Sequence, residues 1–271
     1  MRLRYVRWKQ GPNFGDDLND LLFPDLFSIH ESADNTQVLT DGVNFLGIGT
    51  LLNGYLRISG EAQVVVVGTG AGGIWKHPSF PRAPTISFVR GPLTCQYLEL
   101  DPALGLADAA YLLAAHITSV AARGELPRRP FGIVPHHASM IGFAERWAPL
   151  GNLVIDPRQD WKSVVQQIAA CDLILTECLH GAIAADILRI PSIAFAVTPL
   201  FHAFKWMDWA ASMDIALSLH AFDFADPQML CRTGRPMLSP QTRLHTVFDQ
   251  LEDKKRSIRE TVAQLAERAP S

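Results

Sequence analysis

The chain has 271 residues, 48% of them hydrophobic and 19% charged, with a formal net charge of −3. That length builds one large domain or two modest ones, and the mixed charge leaves no footprint for nucleic acid. No apolar run reaches the roughly 18 residues of a membrane helix, and Cys95, Cys171, Cys178 and Cys231 are scattered without metal spacing, as reduced thiols of a cytoplasmic protein would be.

Leu3 to Trp8 reads as a first strand, basic but without the apolar stretch of a signal peptide. Gly11-Pro12-Asn13-Phe14-Gly15-Asp16-Asp17 then enters a helix whose apolar face holds Leu18, Leu21 and Leu22. Asn13 or Asp16 suits the N-cap, and both aspartates suit the positive helix start. The same turn follows a strand, where carboxylates can equally hold an acceptor hydroxyl.

Val43 to Thr50 is predicted as a second strand and Val64 to Val67 as a third, which runs into Gly68-Thr69-Gly70-Ala71-Gly72-Gly73. This matches the dinucleotide fingerprint in letters but not in context. Prolines at 78, 81 and 84 prevent a following helix. No acidic residue occurs between Gly68 and Leu98, where one is required about 20 positions on. The stretch is read as a glycine loop lining a cleft.

Thr85 to Arg90 is a fourth strand, and Gly91-Pro92 opens the next helix. Arg90, at the carboxyl end of that strand, either clamps an anion in two-pronged fashion or forms a salt bridge. Asp108 either orients Arg90 or caps a helix over Ala109–Ala115. The polar, breaker-rich stretch from Ala121 to Pro130 is the linker candidate.

Beyond it, strands are predicted at Phe131–Val134, Asn152–Ile155, Asp172–Thr176 and Ser192–Val197. Helices are predicted at Met140–Trp147, Trp161–Ala170 and Gly181–Ile190. This alternation argues for an α/β fold with parallel sheets. His180 and Gly181 stand where a turn enters a helix, a natural anion site, and Gly181 allows close backbone approach. His136 and His137, side by side, make a poor metal site; one of them faces a cleft or both lie in a solvated loop. Lys205 begins another strand-end helix. Trp206 and Trp209 either pack in the core or stack on a sugar ring. From Pro240 on, an apolar stripe predicts a long C-terminal helix whose Lys254, Lys255, Arg256 and Arg259 face is solvated.

Taken together, Asn13-Phe14-Gly15-Asp16-Asp17, Gly47-Ile48-Gly49-Thr50, Val67-Gly68-Thr69-Gly70, Val89-Arg90-Gly91-Pro92, Glu177-Cys178-Leu179-His180-Gly181-Ala182 and Phe204-Lys205-Trp206 resemble the polysaccharide pyruvyl transferase family, in its short exopolysaccharide ketal type. The resemblance implies two Rossmann-like domains facing a cleft, as in GT-B enzymes: 1–122 on the acceptor side and 123–240 on the donor side, with 241–271 as a helix packing back across them. It implies phosphoenolpyruvate as donor, a sugar diol of a lipid-linked oligosaccharide as acceptor, and no cofactor or metal. Catalysis falls to His180, Asp16 and Asp17. Donor binding falls to Arg90, His180, Gly181, Ala182, Lys205, Gly68 and Gly70, and acceptor binding to Asn13, Asp16, Asp17, Trp206 and His136. Many members carry Arg where this chain has Cys178, so Lys205 or Arg90 is expected to supply that cation. The acceptor class implies work at the inner face of the cell membrane, with Arg2, Arg4, Arg7 and Lys9 as candidate contacts. A sugar-nucleotide glycosyltransferase and a non-catalytic saccharide-binding protein are the competing readings.

Overall fold

The computed structural model describes residues 2–8, 11–73, 76–197 and 201–267. Two parallel sheets organise it. The first half contains β1 (Leu3–Arg7), α1 (Phe14–Asp17), α2 (Asn19–Phe27), β2 (Glu31–Asp34), β3 (Val38–Leu39), β4 (Val43–Leu46), β5 (Arg57–Ile58), β6 (Gln63–Val67), β7 (Thr85–Phe88), α3 (Pro92–Leu98) and α4 (Ala114–Ala121). Its five-stranded sheet has the order β2-β1-β4-β6-β7, all parallel, beside a small β3–β5 pair. The chain leaves β1 towards β2 and returns on the other side to β4. The carboxyl end of β1 is therefore a topological switch point, the crevice where such sheets take ligands.

The second half contains β8 (Gly132–Val134), α5 (His137–Gly142), α6 (Ala144–Trp147), α7 (Trp161–Ala169), β9 (Ile174–Thr176), α8 (Leu179–Ile187), β10 (Ser192–Ala196), α9 (Ala203–Ser212), β11 (Leu219–Ala221) and α10 (Gln228–Thr233). Its parallel sheet is β11-β10-β9-β8. The 27-residue α11 (Gln241–Glu267) follows.

The apolar strand runs become central strands because both their faces are covered. Along β6, Val65 and Val67 join one core while Val64 and Val66 join the opposite one, the period of two that a strand imposes. The first of these cores is continuous through both halves, from Phe14, Phe23 and Phe45 to Val165, Ile183 and Trp209. Buried polar pairs cross the same boundary. Asp208 accepts from Thr94 N at 2.9 Å and Oγ1 at 2.6 Å. Asp186 accepts from Tyr111 Oη at 2.8 Å, and Tyr111 in turn accepts from Trp209 Nε1 at 3.0 Å.

Several expectations are corrected. Asn152–Ile155 forms no strand. Ala148–Leu153 is a 3₁₀ turn with Gly151 at φ +52°, leaving only a single Ile133–Val154 bridge. The Met140–Trp147 helix is two short ones, broken at Phe143 (φ −129°, ψ 31°). The solvated face expected of α11 is instead partly a strap: Lys254 Nζ donates to Ser87 O at 2.7 Å and Arg259 Nε to Leu26 O at 2.9 Å. The basic N-terminus is also engaged, with Arg4 on Asp41 and Arg7 bridging Asp17 and Asp20.

Candidate active site

The carboxyl ends of both sheets open onto one cavity of about 400 Å³. From the first half come Trp8 after β1, Asn13 and Asp16 of the α1 turn, Gly49 and Thr50 after β4, and Arg90 after β7. From the second come His136 and His137 after β8, Glu177, Cys178 and His180 after β9, and His202 and Lys205 at the start of α9.

Arg90 is completely buried, which a guanidinium tolerates only when bonded. Its Nε donates to Asp108 Oδ2 at 2.9 Å, and its Nη2 donates to the Gly49 carbonyl. Asp108 does both jobs foreseen for it, since its Oδ1 also caps Ala110 N at 3.0 Å. Nη1 of Arg90 keeps no partner among the described residues. The guanidinium lies on Gly70, where a Cβ would come within 2.5 Å of Nη1.

His180 is the second residue of α8, whose N-cap Cys178 offers no side-chain cap. The helix start thus keeps N–H groups available for an anion. His180 Nε2 stands 3.7 Å from Asp108 Oδ1 and has no hydrogen-bond partner among the described residues. Burial pulls its pKa down to about 4, with Lys205 and Arg90 adding to the fall and Asp108 opposing it. Burial likewise lowers Lys205, and takes His136 down to about 2 with help from Lys205. Asp16 moves the other way: burial raises it to about 6 against the pull of Lys205. The cavity therefore holds a proton more readily on Asp16 than on His180.

The structure separates the residues foreseen for the site. Asn13, Asp16, Arg90, His136, His180 and Lys205 are brought together. Asp17 is not among the lining residues; it accepts from Asn13 N at 3.0 Å and Arg7 Nη2 at 3.2 Å, and so shapes the turn from outside. Trp206 is corrected from acceptor contact to core. It is fully buried and stacked on Phe201, because the helical phase of α9 turns it inward while Lys205 faces the cavity. Gly68, Gly181 and Ala182 are buried packing positions: a Cβ at Gly68 would meet Phe88 and Ala109, and one at Gly181 would meet Thr176 and Val134. Of the pair His136 and His137, where one was expected to face a cleft, both line the cavity, while Trp8, Glu177 and His202 escaped the sequence reading as site residues. Their position just past strand ends was the available signal.

Among the described residues, no group of three His, Cys, Asp or Glu side chains is arranged to hold a metal ion, and no helix is long and apolar enough to cross a membrane. The profile of the polysaccharide pyruvyl transferase family matches residues 13–199. The succinoglycan biosynthesis protein ExoV of Rhizobium meliloti (strain 1021) is 34% identical over 220 residues, 78% of this chain and 65% of that protein. This chain thus spans just under two thirds of its relative's length. Among solved structures, a variant of the wall teichoic acid polymerase TagF aligns over 96% of this chain and 84% of its own at 10% identity, with a TM-score of 0.38, too low to carry an argument. With the profile running from the Asn13 turn past the His180 helix, across more than half its length, the chain belongs to the polysaccharide pyruvyl transferase family.

Proposed function

We propose that the protein transfers the pyruvyl group of phosphoenolpyruvate to two hydroxyls of one sugar in an exopolysaccharide precursor, giving a cyclic ketal and phosphate. The observation that carries this reading is the convergence of Arg90, His180 and Lys205 at the uncapped start of α8, facing Asp16 across one cavity. A small donor bearing a carboxylate and a phosphate needs several cations and N–H groups, and in a water-poor site each counts for more. The unpartnered Arg90 Nη1 and His180 Nε2 suit that load.

In this reading a proton is added to the methylene carbon, leaving C2 electron-poor. One sugar hydroxyl bonds to C2 and gives up its proton. The C2–O bond to phosphorus then breaks, phosphate departs, and the second hydroxyl closes the ketal. One proton stays on carbon and one leaves with phosphate. Asp16, able to hold or release a proton near neutral pH, serves the hydroxyls. His180, whose burial favours the neutral ring, becomes protonated as the donor's anionic charge arrives and then stabilises the departing phosphate. Trp8, half-buried against the core of the first sheet and lining the cavity, takes the sugar-stacking place foreseen for Trp206. A GT-B-like arrangement of two Rossmann-like halves, a lipid-linked acceptor and work at the inner membrane face belong to the same proposal.

The test is to mix the protein with 13C-labelled phosphoenolpyruvate and a saccharide diol, then follow free phosphate and the ketal carbon by NMR. Phosphate and ketal should form together, and His180→Ala should lose at least a hundredfold, within the 10²–10⁴ typical of a proton-transfer group. Release of nucleoside diphosphate from a sugar nucleotide would replace the reading with glycosyl transfer. Near-normal turnover in His180→Ala would remove the role given to that residue.

A further inference from the structure

Glu177 lines the cavity but is only 2% exposed. It lies between β9 and the Cys178 cap of α8. Its Oε2 accepts from Ser139 Oγ at 2.5 Å and from His136 N at 3.2 Å, and its Oε1 accepts from Val197 N at 2.9 Å. Its own N–H donates to Val134 O at 2.9 Å. One side chain thus joins the three loops that leave the carboxyl ends of β8, β9 and β10. Those loops carry the cavity's histidines and lysine: His136 and His137 on the first, His180 on the second, and His202 and Lys205 where the third enters α9.

A carboxylate has the wrong charge for a pocket that takes an anion, because at low dielectric it repels the ligand. The three donors it satisfies are neutral, so none of them individually requires a charge. What a carboxylate offers is two oxygens that only accept, aimed at two loops at once. A glutamine in its place accepts on one side and turns a donor towards the other. We infer that Glu177 is a positioning residue: it holds the β8, β9 and β10 loops in register so that His136, His180 and Lys205 face one ligand, at the expense of some anion affinity. The ligand part of this inference rests on the donor reading above.

The test uses the full chain as the parent, Glu177→Gln and Ser139→Ala. Amide hydrogen exchange at His136 and Val197, measured without ligand, reads the two ends of the clamp directly. In Glu177→Gln one of the two amides should exchange at least tenfold faster, while the amides between β4 and β6 keep parental protection. In Ser139→Ala the change should be two- to threefold at His136, with Val197 parental. Titration with phosphoenolpyruvate then separates order from charge. Loss of a negative charge alone predicts tighter binding in Glu177→Gln; loss of register predicts binding at least tenfold weaker. Parental protection at both amides, or tighter binding, overturns the inference. If Glu177→Gln does not fold, Ser139→Ala decides, and unchanged exchange at His136 there also overturns it. If the parent binds no phosphoenolpyruvate, the donor reading fails, and the exchange rates still decide the role of Glu177.

Discussion

Gly15 and His180 compete for one volume. A Cβ built on Gly15 would overlap the imidazole, 2.6 Å from Cε1 and closer still to Nδ1. The backbone of α1, from the first half, is therefore the wall that sets the His180 ring in the second, and the Phe14 N–H bond to Pro157 O at 2.7 Å holds α1 there. By propensity alone Gly15→Ala should stabilise a helix by about 0.5–1 kcal/mol. The overlap reverses the sign. We expect a loss of about 1–3 kcal/mol, as overpacking brings, and pyruvyl transfer at least a hundredfold slower. Thermal denaturation beside a rate assay checks both, and a stable, active Gly15→Ala protein would show that the ring has room.

Asp16 and Asp17 are neighbours with separate tasks, and neutral substitutions tell them apart. Asp16→Asn removes a half-buried carboxylate whose pKa is raised to about 6. Above that pH the variant should be more stable than the parent by about 1–2 kcal/mol and slower in transfer by 10²–10⁴. Asp17→Asn weakens the acceptor of Asn13 N and Arg7. It should cost about 1 kcal/mol and change transfer less than tenfold. Urea denaturation at pH 7.5 with parallel rates distinguishes the two patterns.

Acid should destabilise the ligand-free protein from about pH 6.5 downwards. His180 and His136 have folded pKa values of about 4 and about 2, below the ordinary value of 6.5. As pH falls below 6.5 the unfolded chain takes up protons at both residues and the folded chain does not, so stability drops. Asp16 works in the opposite sense between about 6 and 3.8, where the folded form holds the extra proton. Among these three groups the net is about one proton near pH 5, a slope of about 1.4 kcal/mol per pH unit; His137 and His202, also lowered by burial, steepen it, and Asp17 and Asp208, raised by burial, offset it. His180→Gln should flatten most of that slope; an unchanged slope in calorimetry across pH 4.5–6.5 would contradict the buried neutral histidine.

The strap made by α11 should matter to stability and not to chemistry. Lys254 and Arg259 each place a charged donor on a backbone carbonyl of the first half, a kind of bond worth about 1.5–3 kcal/mol when well buried and less here. Replacing both by methionine keeps their apolar stems. The double variant should lose about 2 kcal/mol in denaturation while phosphoenolpyruvate binds as in the parent.

What could be read beforehand follows from the range of the forces involved. The β6 run Val64–Val67, the helix at Trp161–Ala169 and the strand–turn–helix around His180 are local patterns, and each is where the residues said it would be. β2, with the sequence Glu-Ser-Ala-Asp, is an edge strand whose outer residues are polar, so no apolar period marks it. Trp206 could not be placed by type, since an aromatic ring suits a sugar and a core equally; the phase of α9 decided it. The contact of Gly15 with His180 joins residues 165 positions apart and the clamp at Glu177 joins residues about 40 and 20 positions apart, and nothing local announces them.

The strap also has a consequence in time. Arg259 closes on Leu26 across 233 positions. At roughly 5–20 residues per second of synthesis, Leu26 waits on the order of ten to fifty seconds on the ribosome before its covering helix exists. In that interval the surfaces of α2 and β7 that α11 will cover are open to solvent and to other chains. A cell making this protein quickly would then meet a half-dressed sheet, and the yield of soluble protein should depend on temperature and translation rate more than on the stability of the finished fold.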